Sequence, residues 1–171
     1  MDPRHVRSER RGVGAFGFAL ALALTLGAAG AAQAASAPSQ IDAFAKYSDP
    51  AQIVAAVKTD FNAAPGQAVR LAVYDSEKAF LEEARAKHEA PLDKDGVAVL
   101  SLGDLGAGEY AFAAYLDVNG DGVLNRGKVL GRPKEPVAFS NGVKPKLRKP
   151  RYDETKVAVA PGSVVVITLE D

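Results

Sequence analysis

The chain of 171 residues has no cysteine, no tryptophan and a single methionine. Without cysteine there are no disulfides, no thiol nucleophile and no zinc site built on thiolates. Histidine is nearly as scarce: only His5 and His88 occur. His5 falls in the leader described below, and a lone His88 serves zinc poorly. General acid–base chemistry is left with one neutral-range candidate. That histidine stands in the charged stretch Arg85-Ala86-Lys87-His88-Glu89, where an exposed helical position is expected. There is no Gly-x-Ser-x-Gly elbow and no phosphate-cradling glycine loop before a helix. These absences predict a protein without enzymatic activity. The formal net charge is zero, so nothing draws the whole domain to a polyanion such as nucleic acid.

Long apolar runs are missing too, with one exception. Arg4, Arg7, Arg10 and Arg11 precede an uncharged stretch over 12–31, and Ala32-Gln33-Ala34 follows. A basic start, an apolar centre and a small-residue end make a secretory signal peptide, with cleavage expected after Ala34. Arg10-Arg11 raises twin-arginine export, but its flanks match that signal poorly. No later run is long enough to span a bilayer. The exported part, about 135 residues, is the size of one domain and carries 17 basic against 19 acidic residues. It is expected in the periplasm or outside the cell.

Along the exported part, residues 35–50 read as a flexible lead segment with one helical turn near Ile41–Tyr47. Asp49-Pro50 marks the boundary of a domain over 51–171. Ile53–Phe61, Val69–Tyr74, Val97–Ser101, Glu109–Asp117, Lys156–Ala160 and Val164–Leu169 carry the alternation or β-branched runs of strands. Ser76 reads as the cap of a short helix over Ala79–Ala86, stopped at Pro91. Short strands separated by turn signals predict an all-β fold. The form expected is a single antiparallel β-sandwich with one short helix inserted after the second strand.

The richest stretch is Asp117-Val118-Asn119-Gly120-Asp121-Gly122-Val123-Leu124-Asn125. Oxygen-bearing side chains alternate and a glycine follows, which is the first half of an EF-hand-type calcium loop. The twelfth place, where a bidentate glutamate belongs, holds Lys128. A calcium ion would therefore be held by Asp117, Asn119, Asp121, the Val123 carbonyl and Asn125, with Glu135 folding back as the missing carboxylate. Such a site is weak, with a dissociation constant on the order of 10⁻⁴–10⁻³ M. The other reading is equally physical: Asn119-Gly120 and Asp121-Gly122 are turn formers after a strand.

Further motifs stand in series around this loop. Val69-Arg70-Leu71-Ala72-Val73-Tyr74-Asp75 is followed by Ala79-Phe80-Leu81. Leu105-Gly106-Ala107-Gly108-Glu109-Tyr110-Ala111 leads into the Asp117 loop. Gly131-Arg132-Pro133-Lys134-Glu135-Pro136 and Phe139-Ser140-Asn141 come behind it. The series resembles the bacterial exported family catalogued as domain of unknown function 2141. That resemblance covers roughly residues 50–171. It implies a prealbumin-like or immunoglobulin-like sandwich in the cell envelope and no catalytic activity.

The basic run Lys144, Lys146, Arg148, Lys149 and Arg151 suits an anionic lipid or glycan surface, or else a solvated loop broken by Pro145 and Pro150. Phe139 is expected in the core, with Ser140 and Asn141 bonding loop backbone. The function expected is a non-enzymatic binding or assembly module of the envelope, with the 117–153 stretch as its working surface. Its partner would be an envelope protein or an anionic glycan or lipid surface. A glycan hydrolase using Asp117 and Glu135 as paired carboxylates, or a purely structural accessory subunit, are the alternatives.

Overall fold

A computed structural model describes residues 43–103, 105–127, 131–144 and 148–171. The signal peptide, most of the lead segment, Lys128 and Lys146 lie outside the described residues. Eight strands follow in order: β1 (Val54–Thr59), β2 (Ala68–Tyr74), β3 (Ala86–Pro91), β4 (Val97–Ser101), β5 (Gly108–Asp117), β6 (Val137–Phe139), β7 (Lys156–Val159) and β8 (Val164–Leu169). A one-turn α-helix, α1, spans Tyr152–Thr155.

The strands form two sheets. One has the order β4-β1-β8. The other runs β3-β2-β5, and the far side of β5 is shared. β7 pairs with its first half, Gly108–Ala111, and β6 with Ala113–Tyr115.

Period-2 alternation explains why the sheets stack. Val69, Leu71 and Val73 of β2 point the same way as Phe112, Ala114 and Leu116 of β5. They meet Ala55 and Val57 of β1 and Val165, Ile167 and Leu169 of β8 in one buried cluster. The all-β expectation therefore holds, as two sheets over a common core.

Two expectations need correction. First, the sheets are not wholly antiparallel, because β1 and β8 pair in parallel, Val54 opposite Val164 through Thr59 opposite Leu169. They are the first and last strands, so no hairpin fixes their relative direction. Second, the helix expected after β2 is absent. Residues 75–83 are turns and bends, and Leu81 takes a positive φ of 61°. Ala86–Pro91 instead extends as β3, paired antiparallel to β2. Phe139 is buried in the core, as expected. It joins Tyr74, Phe80, Ala111 and Tyr152 in a second cluster on the outer face of the larger sheet. There Phe80 meets Tyr74 and Tyr152 edge-on, with ring centroids 5.3 and 5.9 Å apart.

Ser140 ties this outer layer to the sheet. Its fully buried hydroxyl accepts the Phe112 N–H at 2.9 Å and donates to the Thr155 carbonyl. Asn141 Nδ2 donates to the Glu154 carbonyl at 3.0 Å. Both residues thus bond backbone, as their side chains predict.

Candidate functional site

Asp117 ends β5 and is 2% exposed. Burying a carboxylate is costly unless donors surround it. Three do: Gly120 N–H donates to Oδ1 at 2.8 Å, Gly122 N–H to Oδ2 at 2.8 Å, and Arg70 Nε to Oδ2 at 3.0 Å. Burial pushes the Asp117 carboxyl upward, but the Arg70 bond and the two amides outweigh it and hold it below the usual carboxylate range. Arg70 comes from β2, and its Nη1 also reaches Glu89 of β3 at 2.7 Å. One guanidinium therefore links three strands to the loop.

Glu135 does fold back on the loop, as the calcium reading requires. It is 7% exposed. Its Oε1 accepts the Val118 N–H at 3.1 Å and its Oε2 the Asn125 N–H at 3.0 Å. The exposed members bond one another. Asp121 accepts the Val123 N–H and both the Asn119 and Asn125 side-chain amides, and the Asn125 bond is the leading cause of its lowered pKa. The Val123 carbonyl accepts from Asn125 Nδ2 at 2.9 Å.

All six residues of the calcium reading are thus brought to one loop, but their oxygens face N–H groups. Among the described residues no three acidic or histidine side chains gather to hold a metal. The donor set in this conformation is filled by amides and by Arg70, and a hard cation would enter at Arg70's expense. Asp117 and Glu135 both accept backbone N–H groups of this loop, and Asp117 is also paired with Arg70.

The loop forms the rim of a hollow on the outer face of the larger sheet, about 510 Å³ in volume. Ala72 and Ala113 are its floor. Tyr74, Tyr115, Arg70 and Glu89 stand around it, and Gly122, Val123 and Leu124 close the loop side. The Tyr115 hydroxyl donates to the Gly122 carbonyl at 3.0 Å, which pins ring to rim. Burial leads the causes that raise the Tyr115 pKa. Val118 and Val123, on the same loop, are large apolar side chains left 53% and 62% exposed. Lys87 also lines the hollow, and no ion pair engages it among the described residues. Sequence reading missed Arg70 and the hollow, because both depend on which strands are neighbours.

The basic run is largely matched inside the domain. Lys144 meets Glu170 at 2.7 Å, Arg148 grips Glu154, Arg151 reaches Glu154 at 3.5 Å and Lys149 reaches Glu82 at 3.7 Å. The Arg148 bond leads the causes that pull Glu154 down to a pKa of about 2. His88 lies on β3 rather than on a helix, half-buried, and its Nε2 has no hydrogen-bond partner among the described residues.

A family model described as "Uncharacterized protein conserved in bacteria (DUF2141)" matches residues 59–167, well over half of the chain. The chain belongs to the DUF2141 family. The match spans the strands from the end of β1 into β8, the Asp117 loop and the Ser140 tie. No curated protein and no solved structure matches the chain.

Proposed function

We propose that this DUF2141 domain is an exported, non-enzymatic binding module of the bacterial cell envelope. The sandwich is of the prealbumin-like or immunoglobulin-like kind. The ligand is a short anionic glycan held in the hollow beside the Asp117 loop. The observation that carries this reading is the fixed rim. Asp117, Arg70 and the Tyr115–Gly122 bond hold the loop beside an alanine floor without help from a ligand. A preformed, mostly apolar hollow with a few polar groups is what small-ligand sites look like, and about 510 Å³ lies within their usual range of roughly 300–1,000 Å³. Tyrosine rings offer an amphipathic wall for a sugar face, and Lys87 supplies the positive charge. Export rests on the leader over residues 1–34. The absence of catalysis rests on the lack of any nucleophile–base arrangement in the sequence.

Calcium in the loop is a second reading, favoured by the convergence of Asp117, Asn119, Asp121, Val123, Asn125 and Glu135. Its role would be to stiffen the rim, and it is tested separately below.

The glycan reading is tested on the exported chain, residues 35–171, titrated with an acidic oligosaccharide and with anionic phospholipid vesicles while amide NMR shifts are followed. The oligosaccharide should shift Ala72, Ala113 and Tyr115, and Ala113→Trp, which fills the floor, should abolish the change. Binding that survives Ala113→Trp, binding to vesicles alone, or no binding at all would each defeat it.

A further inference from the structure

Glu89 of β3 stands opposite Arg70 of β2, and Lys87 stands opposite Ala72. Alternation turns all four to the outer face of the larger sheet. Arg70, Lys87 and Glu89 therefore line the hollow beside its alanine floor.

Arg70 meets two carboxylates, and they are held very differently. The Asp117 side chain is fully buried and takes the Nε bond together with two backbone amides. It fixes the guanidinium from behind. The Glu89 side chain is 51% exposed, and Nη1 of Arg70, at 2.7 Å, is its one charged partner among the described residues. A pair this open to water adds little to stability and is easily exchanged. Nη2 lies beside Gly122 on the rim and donates to nothing among the described residues. One end of the guanidinium is thus anchored in the protein. The other carries a carboxylate that can leave.

We propose that the glycan of the hollow is a carboxylated one, built on a uronic-acid sugar, whose carboxylate takes the place of Glu89 on Arg70. This rests on the glycan reading above and adds to it the ligand's chemical class and the residue that selects it. Glu89 is a competitor of the same chemistry, placed where the ligand's own carboxylate would sit. A planar guanidinium grips a planar carboxylate through two parallel N–H bonds, and Nη1 and Nη2 supply that pair once Glu89 swings into water. Lys87, two residues along the same strand face, adds a second positive charge that no ion pair engages among the described residues. A neutral sugar has nothing to exchange for Glu89. The ion pair therefore discriminates against uncharged glycans as well as yielding to charged ones.

The probes are a trimer of galacturonic acid and the same trimer methyl-esterified at every carboxyl, which removes the charge and keeps the rings. The exported chain and its Glu89→Gln variant are titrated with each. The Arg70 Nε–H NMR signal is followed beside the amides of Ala72 and Ala113. The acid trimer should bind the parent better than its ester does and should shift the Arg70 signal. Glu89→Gln should tighten the acid trimer roughly fivefold, the upper end of what an exposed ion pair is worth, and leave the ester unchanged. Lys87→Gln should weaken the acid trimer alone. Binding of the acid trimer by Glu89→Gln and not by the parent would support the same exchange, with Glu89 as a complete block. Acid-trimer binding that Glu89→Gln leaves equal or weakens would overturn the proposal while the hollow kept its glycan. So would a sulfated trisaccharide that outbinds the acid trimer. No sugar bound by either protein would remove the glycan reading itself, and this proposal with it.

Discussion

Arg70 Nε donates to Asp117 Oδ2 across 3.0 Å, although the two are not ladder partners: Arg70 stands opposite Tyr115, and Asp117 opposite Ala68. The diagonal reach is what lets one side chain serve both the sheet and the loop. Truncating it leaves a buried carboxylate with its two amide donors and no counter-charge. Such a residue is costly to leave behind, unlike half of an exposed pair. Arg70→Ala should therefore lower the thermal midpoint clearly, whereas Lys94→Ala, which breaks an exposed pair with Asp95, should not move it. Calorimetry of the two variants side by side checks this.

Gly122 sits at φ +78°, and a Cβ there would come 3.2 Å from Arg70 Nη2. Two penalties coincide, the left-handed backbone and the crowding of the guanidinium. Gly122→Ala should destabilise by about 1 kcal/mol or more in urea titration. Gly120, equally left-handed at +72°, has open space around it. Gly120→Ala should therefore cost less than Gly122→Ala, and the difference isolates the contact with Arg70.

Acid should weaken the domain through the same carboxylates. Asp117 and Asp121 are held below their usual range, Asp117 against the upward push of burial, and Glu154 lies at about 2. A carboxyl whose folded pKa is depressed adds stability above its unfolded pKa and loses it as pH falls through the folded value. Stability should be flat from neutrality to the ordinary carboxylate range of about 4 and should then fall toward pH 2. Asp117→Asn should flatten part of that slope. Urea midpoints measured from neutral to pH 2 decide it, and an unchanged slope in Asp117→Asn would remove Asp117 from the account.

Six of the eight strands were legible in the sequence because alternation of Val, Leu, Phe and Ile against polar residues marks them. β3 was not. Its inward positions are Ala86, His88 and Ala90, which give little hydrophobic contrast, and Ala79, Phe80 and Ala84 just ahead fit a helical period. Pairing with β2 overrode that local preference. β6 has three residues, too few to show a period. The loop's acidic residues were visible and Glu135's return was anticipated. Arg70 as their counter-charge was not, because it requires the β2–β5 register, which no local pattern encodes.

Ser140 concentrates the attachment of the outer layer in one hydroxyl. It accepts from Phe112 on β5 and donates to Thr155 at the end of α1. Ser140→Ala leaves a buried N–H and a carbonyl unsatisfied, at a cost of about 1–3 kcal/mol. Faster amide exchange should appear at Phe112 and in residues 152–155, ahead of the sheet interior. A loss spread evenly over the domain would mean that the hydroxyl is not a local tie.

Arg70 and calcium would compete for the same carboxylate. Asp117 Oδ2 already takes Arg70 Nε and the Gly122 N–H, so a cation gains that oxygen only if the guanidinium leaves. In the parent, millimolar calcium against chelator should barely move the thermal midpoint. Arg70→Gln removes the competing charge and keeps a polar side chain. With a dissociation constant on the order of 10⁻⁴–10⁻³ M, calcium should then stabilise that variant by roughly 1 kcal/mol through mass action. Asp117→Ala added to Arg70→Gln should erase the response. A parent that responds as strongly as the variant would show that Arg70 does not block the site. Silence in both would leave Asp117, Asn119 and Asp121 as turn formers whose task is to hold the rim.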